Sequence, residues 1–353
     1  MARATTEAVE VEVAGRIVRV SNPGKMYFAD RSLTKLDLVK YFLTVGDGIL
    51  RALKDRPTTL ERWPSGYFEG ATLSTRADNR GDAFYSKRVP QGAPDYLQSV
   101  EITFPSGRKA DEVCPTELAV VAWAANLGTL RFHPWPVTSA DVDHPDQLRI
   151  DLDPQPGTDY SHAAAVAPIL REVLREAGME GHPKTSGGRG LHVYVPIEPT
   201  ATFVQARRAV IALGREVERR APKQVTTSWW KEERGERIFI DFNQMARDRT
   251  MASAYSVRPN SRATVSAPLT WAEVPEVGPE DFDVLSMPAR FAELGDLHIG
   301  LDGPRYDIAP LLEMADRDET DRGLGDLPYP PEYPKMPGEP KRVQPSKDTD
   351  RRR

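Results

Sequence analysis

The sequence predicts an α+β fold in which a sheet packs against helices. Three segments of the second half, 148–154, 191–197 and 237–244, contain strand formers with polar residues at alternate positions, the period of a β-strand. Two helices, predicted from the helical spacing of apolar residues, separate these strands. The first extends over 161–178, with Ser161 as N-cap and Gly178 as stop, and the second over about 202–220. An N-terminal α/β part precedes this core.

The N-terminal part begins with a hairpin in VEVEVAGRIVRV that turns at its Ala-Gly pair. The turn SNPGKMYF then presents Asn22 and Lys25. The stretch SLTKLDLVKYFLTVGDGILRALK is predicted to be a helix capped by Thr34, with Lys35 in its first turn. Free N–H groups at a helix start together with cations form an anion pocket. An ordinary solvated helix start fits the same residues.

Aromatic residues next to cations follow in GDAFYSKRVP, which contains Phe84 and Tyr85. Such pairs are suited to stacking on unpaired bases, although most aromatic residues belong to a core. VEITFPSGRKADEVCP is predicted to be a hairpin around 105–107, a candidate loop for contacting nucleic acid. The apolar helix of ELAVVAWAANLGTL is expected to be buried and to place His133 just after its end.

The strand LRIDLDP places Asp151 and Asp153 on the face opposite its apolar residues. The two carboxylates project together about 6 to 7 Å apart, at about 3.3 Å per residue. Their repulsion would be relieved by a hard divalent cation, for which oxygen ligands suit magnesium or manganese. A solvated strand edge or an Asp-Pro turn is the alternative.

A glycine-rich turn lies in HPKTSGGRGLHVYVPI and contains Lys184, Ser186, Gly187 and Arg189. Glycines let backbone N–H groups approach phosphate oxygens, and the polar side chains add charge and donors. The next strand carries His192 on the face that it shares with a tyrosine. Alone, a Ser-Gly-Gly sequence is also a common plain turn, and a lone histidine is commonly structural.

A third carboxylate, Asp241, occurs among strong strand formers in RIFIDFNQ, where an unpaired charge is costly. The four polar residues can therefore lie on one face of one sheet: Asp151, Asp153, His192 and Asp241. Downstream, Arg247, Arg249 and Arg258 supply guanidinium groups that match phosphate oxygens. Together these features predict a two-metal site for phosphoryl or nucleotidyl transfer.

Composition limits the class of protein. The chain has 353 residues, 39% of them hydrophobic, which is enough for a substantial core. Its net charge of −5 excludes a surface coated with positive charge, so nucleic acid would bind local patches. The single cysteine, Cys114, excludes an internal disulfide and a multi-cysteine zinc site, and we expect it in the core. The first residues of the sequence do not resemble a signal segment, and the sequence contains no long apolar run. We therefore expect no membrane association and a cytoplasmic, nucleoid-associated protein.

The predicted organisation has three parts. Residues 1–10 form a flexible N-terminus, and residues 11–320 form the catalytic domain, divided into about 11–140 and about 141–300. Residues 321–353 form a proline-rich, basic tail that runs extended along the surface. Such a tail suits contact with nucleic acid or an acidic partner, or simply improves solubility. We see no ligase or nuclease module.

The succession IDLDP, TSGGRGLHVYVP, IFIDFNQ and TMASAYSVRP resembles the three motifs of the archaeo-eukaryotic primase superfamily. The resemblance is specifically to the polymerase domain of bacterial DNA ligase D and extends from about Val18 to Ala292. It implies a primase-polymerase fold, with an RRM-like catalytic sheet packed against helices and an N-terminal α/β subdomain. As a stand-alone polymerase domain, the chain looks similar to the mycobacterial Prim-PolC kind.

The resemblance also implies roles for individual residues. Asp151, Asp153 and Asp241 would be catalytic and hold two metal ions, Mn²⁺ or Mg²⁺, with manganese favoured. Phe84 and Tyr85 would pack against the template. Around the incoming nucleotide it implies Ser186, Gly187, Arg189, His192, Arg249, Arg258 and His133. A pocket for a DNA 5′-phosphate would consist of Asn22, Lys25 and Lys35. Arg189 and Arg249 stand where relatives usually show lysine, a change that is compatible with phosphate binding but leaves the affinity and the sugar preference open.

We therefore expect a monomeric, template-directed DNA/RNA polymerase that uses NTPs or dNTPs and prefers ribonucleotides. Its expected DNA substrate is gapped or nicked DNA with a downstream 5′-phosphate, in which it fills short gaps. Excision repair is the expected setting, and end joining with Ku and a separate DNA ligase is the alternative. Two other classes remain open. A phosphohydrolase or nuclease would use the same carboxylates, and a non-catalytic DNA-end-binding scaffold would keep the lysines but tolerate loss of the aspartates.

Overall fold

The computed structural model describes residues 7–75, 78–104, 106–330, 333, 335, 339 and 342. The N-terminal part begins with the hairpin β1 (Ala8–Val13) and β2 (Arg16–Ser21), as the sequence predicts. Its further elements are β3 (Met26–Phe28), β4 (Leu33–Thr34), α1 (Lys35–Thr44), α2 (Gly46–Leu53), β5 (Thr58–Arg62), β6 (Phe84–Ser86), β7 (Gln98–Thr103), β8 (Lys109–Cys114), α3 (Leu118–Asn126) and β9 (Thr129–Pro134).

The larger N-terminal sheet has the order β6-β5-β8-β7, and β9 pairs with β5. Helix α3 is almost entirely buried and packs against α1, which covers the apolar side of this part. Cys114 lies in the core as expected and is 2% exposed. The sheet thus presents β5, β6 and β9 to the second half of the chain.

The second half contains the predicted catalytic core. Its elements are β10 (Gln147–Pro154), α4 (Tyr160–Glu176), β11 (His182–Thr185), β12 (Leu191–Pro196), α5 (Phe203–Arg220), β13 (Val225–Thr226), β14 (Ile238–Ile240), α6 (Met287–Leu294) and α7 (Ala309–Arg322).

The core sheet has the order β11-β12-β10-β14-β13, with β10 at its centre. Leu148, Ile150 and Leu152 are fully buried under α4 and α5, which pack against each other and against the strands. The period of two therefore turns the acidic residues of β10 to the opposite face. The mixed sheet with helices confirms the predicted α+β class.

Several sequence-based boundaries were wrong for local reasons. The long helix predicted after Thr34 is two helices, because the chain bends at Val45 between α1 and α2. Thr34 is the N-cap as predicted, in a capping box with Asp37. Helix α4 is capped by Asp159 rather than by Ser161, since the Asp159 carboxylate accepts from the Ser161 N–H.

Helix α7 packs along α5, and the chain continues past it without helix or strand over 323–330. Within the described ranges, no helix is long and apolar enough to cross a membrane. The predicted loop residue Pro105 lies outside the described residues, whereas Ser106 and Gly107 are exposed between β7 and β8.

Candidate active site

The three predicted carboxylates lie near one another at the middle of the core sheet. Asp151 lies opposite His192 in the pairing of β10 with β12, and Leu152 lies opposite Ile240 in the pairing with β14. Asp241 follows directly after β14, and its N–H donates to the Asp151 carbonyl at 3.0 Å. The prediction that Asp241 lies within a strand was wrong in detail. The strand ends at Ile240 because the Asp241 carboxylate caps a 3₁₀ turn by accepting from the Asn243 N–H.

Repulsion among the carboxylates contributes to the raised pKa values of two of them. Burial, together with the charges of Asp241 and Asp153, raises the pKa of Asp151 well above its ordinary value. Burial and Asp241 also raise the pKa of Asp153. A divalent cation relieves such repulsion, so the donor set fits magnesium or manganese. Among the described residues, no three His, Cys, Asp or Glu side chains form a complete metal-binding cluster. Asp153 and Asp241 instead accept hydrogen bonds from the glutamine amides of Gln155 and Gln244.

His192 is held by a buried lysine. The Lys184 Nζ, which is fully buried, contacts His192 Nδ1 at 2.8 Å, the Ala252 carbonyl at 3.0 Å and Ser266 Oγ at 2.7 Å. When the lysine is an ammonium group, its three N–H bonds match these three acceptors, and the imidazole proton then lies on Nε2. That Nε2 lies 3.5 Å from Asp151 Oδ1. Lys184 therefore supports the histidine and does not reach a phosphate, contrary to the sequence interpretation.

The glycine turn is closed by its own serine. Ser186 Oγ accepts from the Gly188 and Gly190 N–H groups, each at 3.1 Å. Two of the N–H groups that the sequence assigned to phosphate are therefore already paired. Gly187 has a φ of +71°, a conformation that favours glycine.

Arg258 lies against this turn. Its Nε donates to the Ser186 carbonyl at 2.9 Å, and a Cβ on Gly188 would lie 2.9 Å from its guanidinium. Burial and the nearby charge of Arg131 lower the pKa of Arg258 to about 10. A cleft of about 430 Å³ contains most of the predicted nucleotide residues. Its lining includes Asp151, Asp153, Ser186, Arg189, His192 and Arg258.

His133 lies on β9 and not directly after a helix, because a tight turn at Gly128 separates α3 from the strand. Its Nε2 lies 3.1 Å from a carboxylate oxygen of Glu61, which is fully buried on β5. The same carboxylate is 2.6 Å from Arg131 and accepts from the Trp63 indole at 2.9 Å.

Two further cavities lie next to the cleft. One, of about 610 Å³, is strongly basic and is lined by residues that include Tyr85, Lys87, Arg108, His133, Arg249 and Tyr333. The other, of about 580 Å³, is lined by residues that include Asp153, Trp230, Arg234, Asp241, Arg249 and Pro330. Arg249 lines both, so it connects the carboxylates to the basic cavity. The structure does not place it in the cleft with Arg258.

The predicted aromatic pair separates across strand β6. Tyr85 packs edge-on against His133, with ring centroids 5.4 Å apart. Phe84 points to the other side, where the Arg62 guanidinium lies 5.1 Å from its ring. Both aromatic side chains are more than one-third exposed, Phe84 at 37% and Tyr85 at 43%, which leaves area for stacking.

Asn22, Lys25 and Lys35 form one turn at the start of α1. The Lys25 N–H donates to the Asn22 carbonyl at 3.0 Å, and the Lys35 N–H donates to the Lys25 carbonyl at 2.8 Å. Burial and the charge of Lys25 lower the pKa of Lys35. Two neighbouring cations at a helix N-terminus favour an anion.

Comparison with known proteins identifies the family of the chain. The family described as LigD, primase-polymerase domain, matches residues 34–298. The chain belongs to this family. It is a family of nucleotidyltransferases.

Two relatives of the LigD family are multi-part proteins. The multifunctional non-homologous end joining protein LigD of Mycolicibacterium smegmatis is 32% identical over 332 residues, which cover 90% of this chain and 40% of the relative. The bifunctional non-homologous end joining protein LigD of Bacillus subtilis is 31% identical over 251 residues, 71% of this chain and 38% of the relative. The chain thus spans about two-fifths of these proteins.

A solved structure shares the LigD primase-polymerase fold. The polymerase domain of Mycobacterium tuberculosis ligase D, in complex with DNA, has a TM-score of 0.72 and 27% identity. The match covers 82% of this chain and 99% of that one, which confirms the predicted fold.

Sequence reasoning missed three features of the LigD-type site. Glu61 gave no signal, because a glutamate in TLERW is not distinguishable from a surface residue. Lys184 was noticed, but its burial could not be foreseen. Tyr329 and Tyr333 were treated as part of a tail, although both are less than 10% exposed.

Proposed function

We propose that this chain is a metal-dependent, template-directed nucleotidyltransferase. It extends a primer 3′-hydroxyl across short DNA gaps that bear a downstream 5′-phosphate. The observation that carries the proposal is that Asp151 and Asp153 lie on the central strand β10 and Asp241 directly after the neighbouring strand β14, beside a cationic cleft. Its membership of the LigD primase-polymerase family supports the same chemistry.

Each group of residues has a proposed role in the reaction. The three aspartates hold the metal ions, Mn²⁺ or Mg²⁺. When bound, these neutralise the triphosphate, activate the attacking hydroxyl and stabilise the leaving pyrophosphate. Arg189 and Arg258, in the cleft with His192 and Ser186, and Arg249, in the adjoining cavities, bind phosphate oxygens as fixed guanidinium forks.

The DNA-facing groups lie elsewhere. Asn22, Lys25 and Lys35 bind the downstream 5′-phosphate, a role supported by the like charges gathered at the start of α1. Tyr85 and Phe84 stack on template bases. Following the family resemblance, we propose ribonucleotide preference with manganese, action in the cytoplasm on nucleoid DNA, and gap filling in excision repair.

Primer extension on a one-nucleotide gap tests the proposal. Reactions with and without the downstream 5′-phosphate, with NTPs or dNTPs, and with manganese or magnesium, would be compared for wild type and Asp151→Asn. We expect phosphate-stimulated, ribonucleotide-favoured extension that is lost in the variant. Extension that survives in Asp151→Asn would refute the metal assignment, and tight gap binding without any extension would support a non-catalytic scaffold.

The lysine pocket has its own test. Lys25→Ala should weaken binding only to the gap that carries the 5′-phosphate. Lys54→Ala, which removes an exposed lysine at the end of α2, is the matched control. Equal loss on phosphorylated and unphosphorylated gaps would refute the pocket.

The relatives named as non-homologous end joining proteins favour a second setting, in which the polymerase works with Ku and a separate ligase. Comparing a continuous gapped duplex with two duplexes that pair through short 3′ overhangs separates the settings. Faster extension on the paired ends, increased by Ku, would favour end joining over excision repair.

A further inference from the structure

A short segment after α7 reaches the active site from outside the region that matches the family. This segment, here called the strap, consists of residues 324–330 together with Tyr333. The family match ends at residue 298. The strap nevertheless contributes Pro330 to the cavity of Asp153 and Asp241, and Tyr333 to the cavity of His133.

Arginines of α5 fasten the strap. A proline-rich segment without helix or strand has carbonyl groups that need external donors. Arg215 donates to two of them, the Leu324 and Gly325 carbonyls, each at 2.7 Å. Arg207, which is 1% exposed, donates to the Leu327 and Pro328 carbonyls at 3.1 and 2.7 Å.

Arg207 also joins the strap to the catalytic carboxylates. Its guanidinium carbon lies 4.1 Å from the Tyr329 ring centroid and 5.1 Å from that of Phe242. The same guanidinium donates to Asn243 Oδ1 at 3.0 Å, and the Asn243 N–H donates to Asp241. The Arg207 side chain is buried and bonded to both the strap and the Asp241 turn, so it is fixed in one arrangement. It therefore holds the strap and the turn together.

Tyr333 completes the connection at the far end of the strap. It is 8% exposed, packs with Tyr329 and Ala246, and its hydroxyl donates to the Arg247 carbonyl. The Arg249 guanidinium carbon lies 5.6 Å from the centroid of its ring. That distance is within the range of a cation–π interaction. The ring therefore limits the directions that the Arg249 side chain can take.

We infer that the strap is a wall of the nucleotide site and that Tyr333 is a positioning residue for Arg249, aiming its guanidinium at an incoming nucleoside triphosphate. The inference rests on the proposed function, because Arg249 is taken there as a phosphate-binding residue. Tyr333 acts through Arg249 and does not itself touch the reacting atoms.

The test compares substitutions in the full chain. Tyr333→Phe keeps the ring and Tyr333→Leu removes it. Tyr306→Leu is the matched control, because Tyr306 lies at the end of β12 away from His192 and lines neither cavity. The measured quantities are nucleotide KM and kcat in gap extension, and the affinity for a fluorescent nucleoside triphosphate in the presence of manganese and gapped DNA.

We expect Tyr333→Leu to raise the nucleotide KM and Kd about 5-fold, the factor that corresponds to a cation–π contact of about 1 kcal/mol. The kcat should change little, Tyr333→Phe, which keeps the ring but loses the hydroxyl bonds, should lose less affinity than Tyr333→Leu, and Tyr306→Leu should have no effect on KM. In an Arg249→Met background, Tyr333→Leu should cause no further loss, because the two residues act as one unit.

The outcomes separate this inference from the proposed function. Unchanged affinity in Tyr333→Leu, or an equal loss in the Arg249→Met background, would overturn the positioning role while the polymerase assignment stood. Tighter nucleotide binding in Tyr333→Leu would mean that the strap obstructs the site, which also overturns it. A wild type that binds triphosphate in a Tyr333-dependent manner without extending primers would refute the polymerase and keep the strap.

Discussion

Replacing Glu61 with glutamine should remove the charge that organises the His133 side of the site. Glu61 is fully buried and contacts three donors, His133, Arg131 and Trp63. Burial alone would raise its pKa, but the hydrogen bond from His133 and the charge of Arg131 outweigh burial and lower the pKa to about 2. The folded state therefore favours the carboxylate.

Both partners supply this stabilisation, the hydrogen bond from His133 first and the charge of Arg131 second. Burial lowers the pKa of His133 despite the neighbouring Glu61, so the imidazole is neutral at pH 7 and acts as a hydrogen-bond donor. The shift of Glu61 from 4.5 to about 2 corresponds to about 3 kcal/mol, at 1.36 kcal/mol per unit. We expect Glu61→Gln to lose about this much unfolding free energy at pH 7, since the buried arginine loses its counter-charge.

The pH dependence follows from the direction of the shift. A lowered carboxyl pKa gives stability that is complete above the unfolded value of 4.5 and is lost as pH falls toward 2. The difference between wild type and Glu61→Gln should therefore be constant from pH 7 to about 5 and shrink below that. Urea unfolding followed by tryptophan fluorescence measures it at each pH.

A surface glutamate provides the control. Glu101 pairs with Lys109 at 2.7 Å, but both side chains are more than half exposed, and such pairs contribute little. Glu101→Gln should cost less than about 1 kcal/mol at any pH. A Glu61→Gln variant as stable as Glu101→Gln at pH 7, or a difference that grows on acidification, would refute the reasoning.

Three further substitutions test other parts of the structure. Burial raises the pKa of Glu112 to about 7, so wild-type stability should fall as pH rises from 4.5 to 7, and Glu112→Gln should remove this fall in urea titrations. Lys184→Met should lower the free energy of unfolding in urea by about 3 kcal/mol or more and should reduce gap extension, because His192 loses its buried donor. A variant as stable as the wild type would contradict the described hydrogen-bond network. Gly48→Ala should lower the melting temperature despite alanine's helix propensity, since the new Cβ would lie 2.7 Å from a Tyr255 ring carbon.

The sequence predicted the acidic centre well because strand periodicity is a local property. Alternation in LRIDLDP was enough to put Asp151 and Asp153 on one face, and the β10 to β12 register then placed His192 opposite Asp151. The predicted strand 237–244 extends four residues past the actual end at Ile240, because capping of the next turn competes with strand extension.

Residues whose roles depend on distant partners could not be predicted in the same way. Glu61 and His133 are 72 positions apart, and Tyr333 and Arg247 are 86 positions apart. A proline-rich composition correctly excludes helix and central strand for the strap. It gives no information about the α5 arginines that hold the strap in place.

The net charge of −5 is consistent with an anionic substrate once the buried cations are considered. Burial comes first among the causes that lower the pKa values of Arg258, Arg149 and Lys184, and each of these groups is lowered further by at least one neighbouring cation. Arg258 lines the cleft, and its charge and that of Arg149 repel the charged form of Lys184. A bound triphosphate would reduce this repulsion, and therefore triphosphate affinity should depend on the cations near the cleft and hardly on surface charge. A net negative charge also disfavours nonspecific DNA binding, so under the proposed function DNA affinity should depend on local cationic groups such as the lysines before α1.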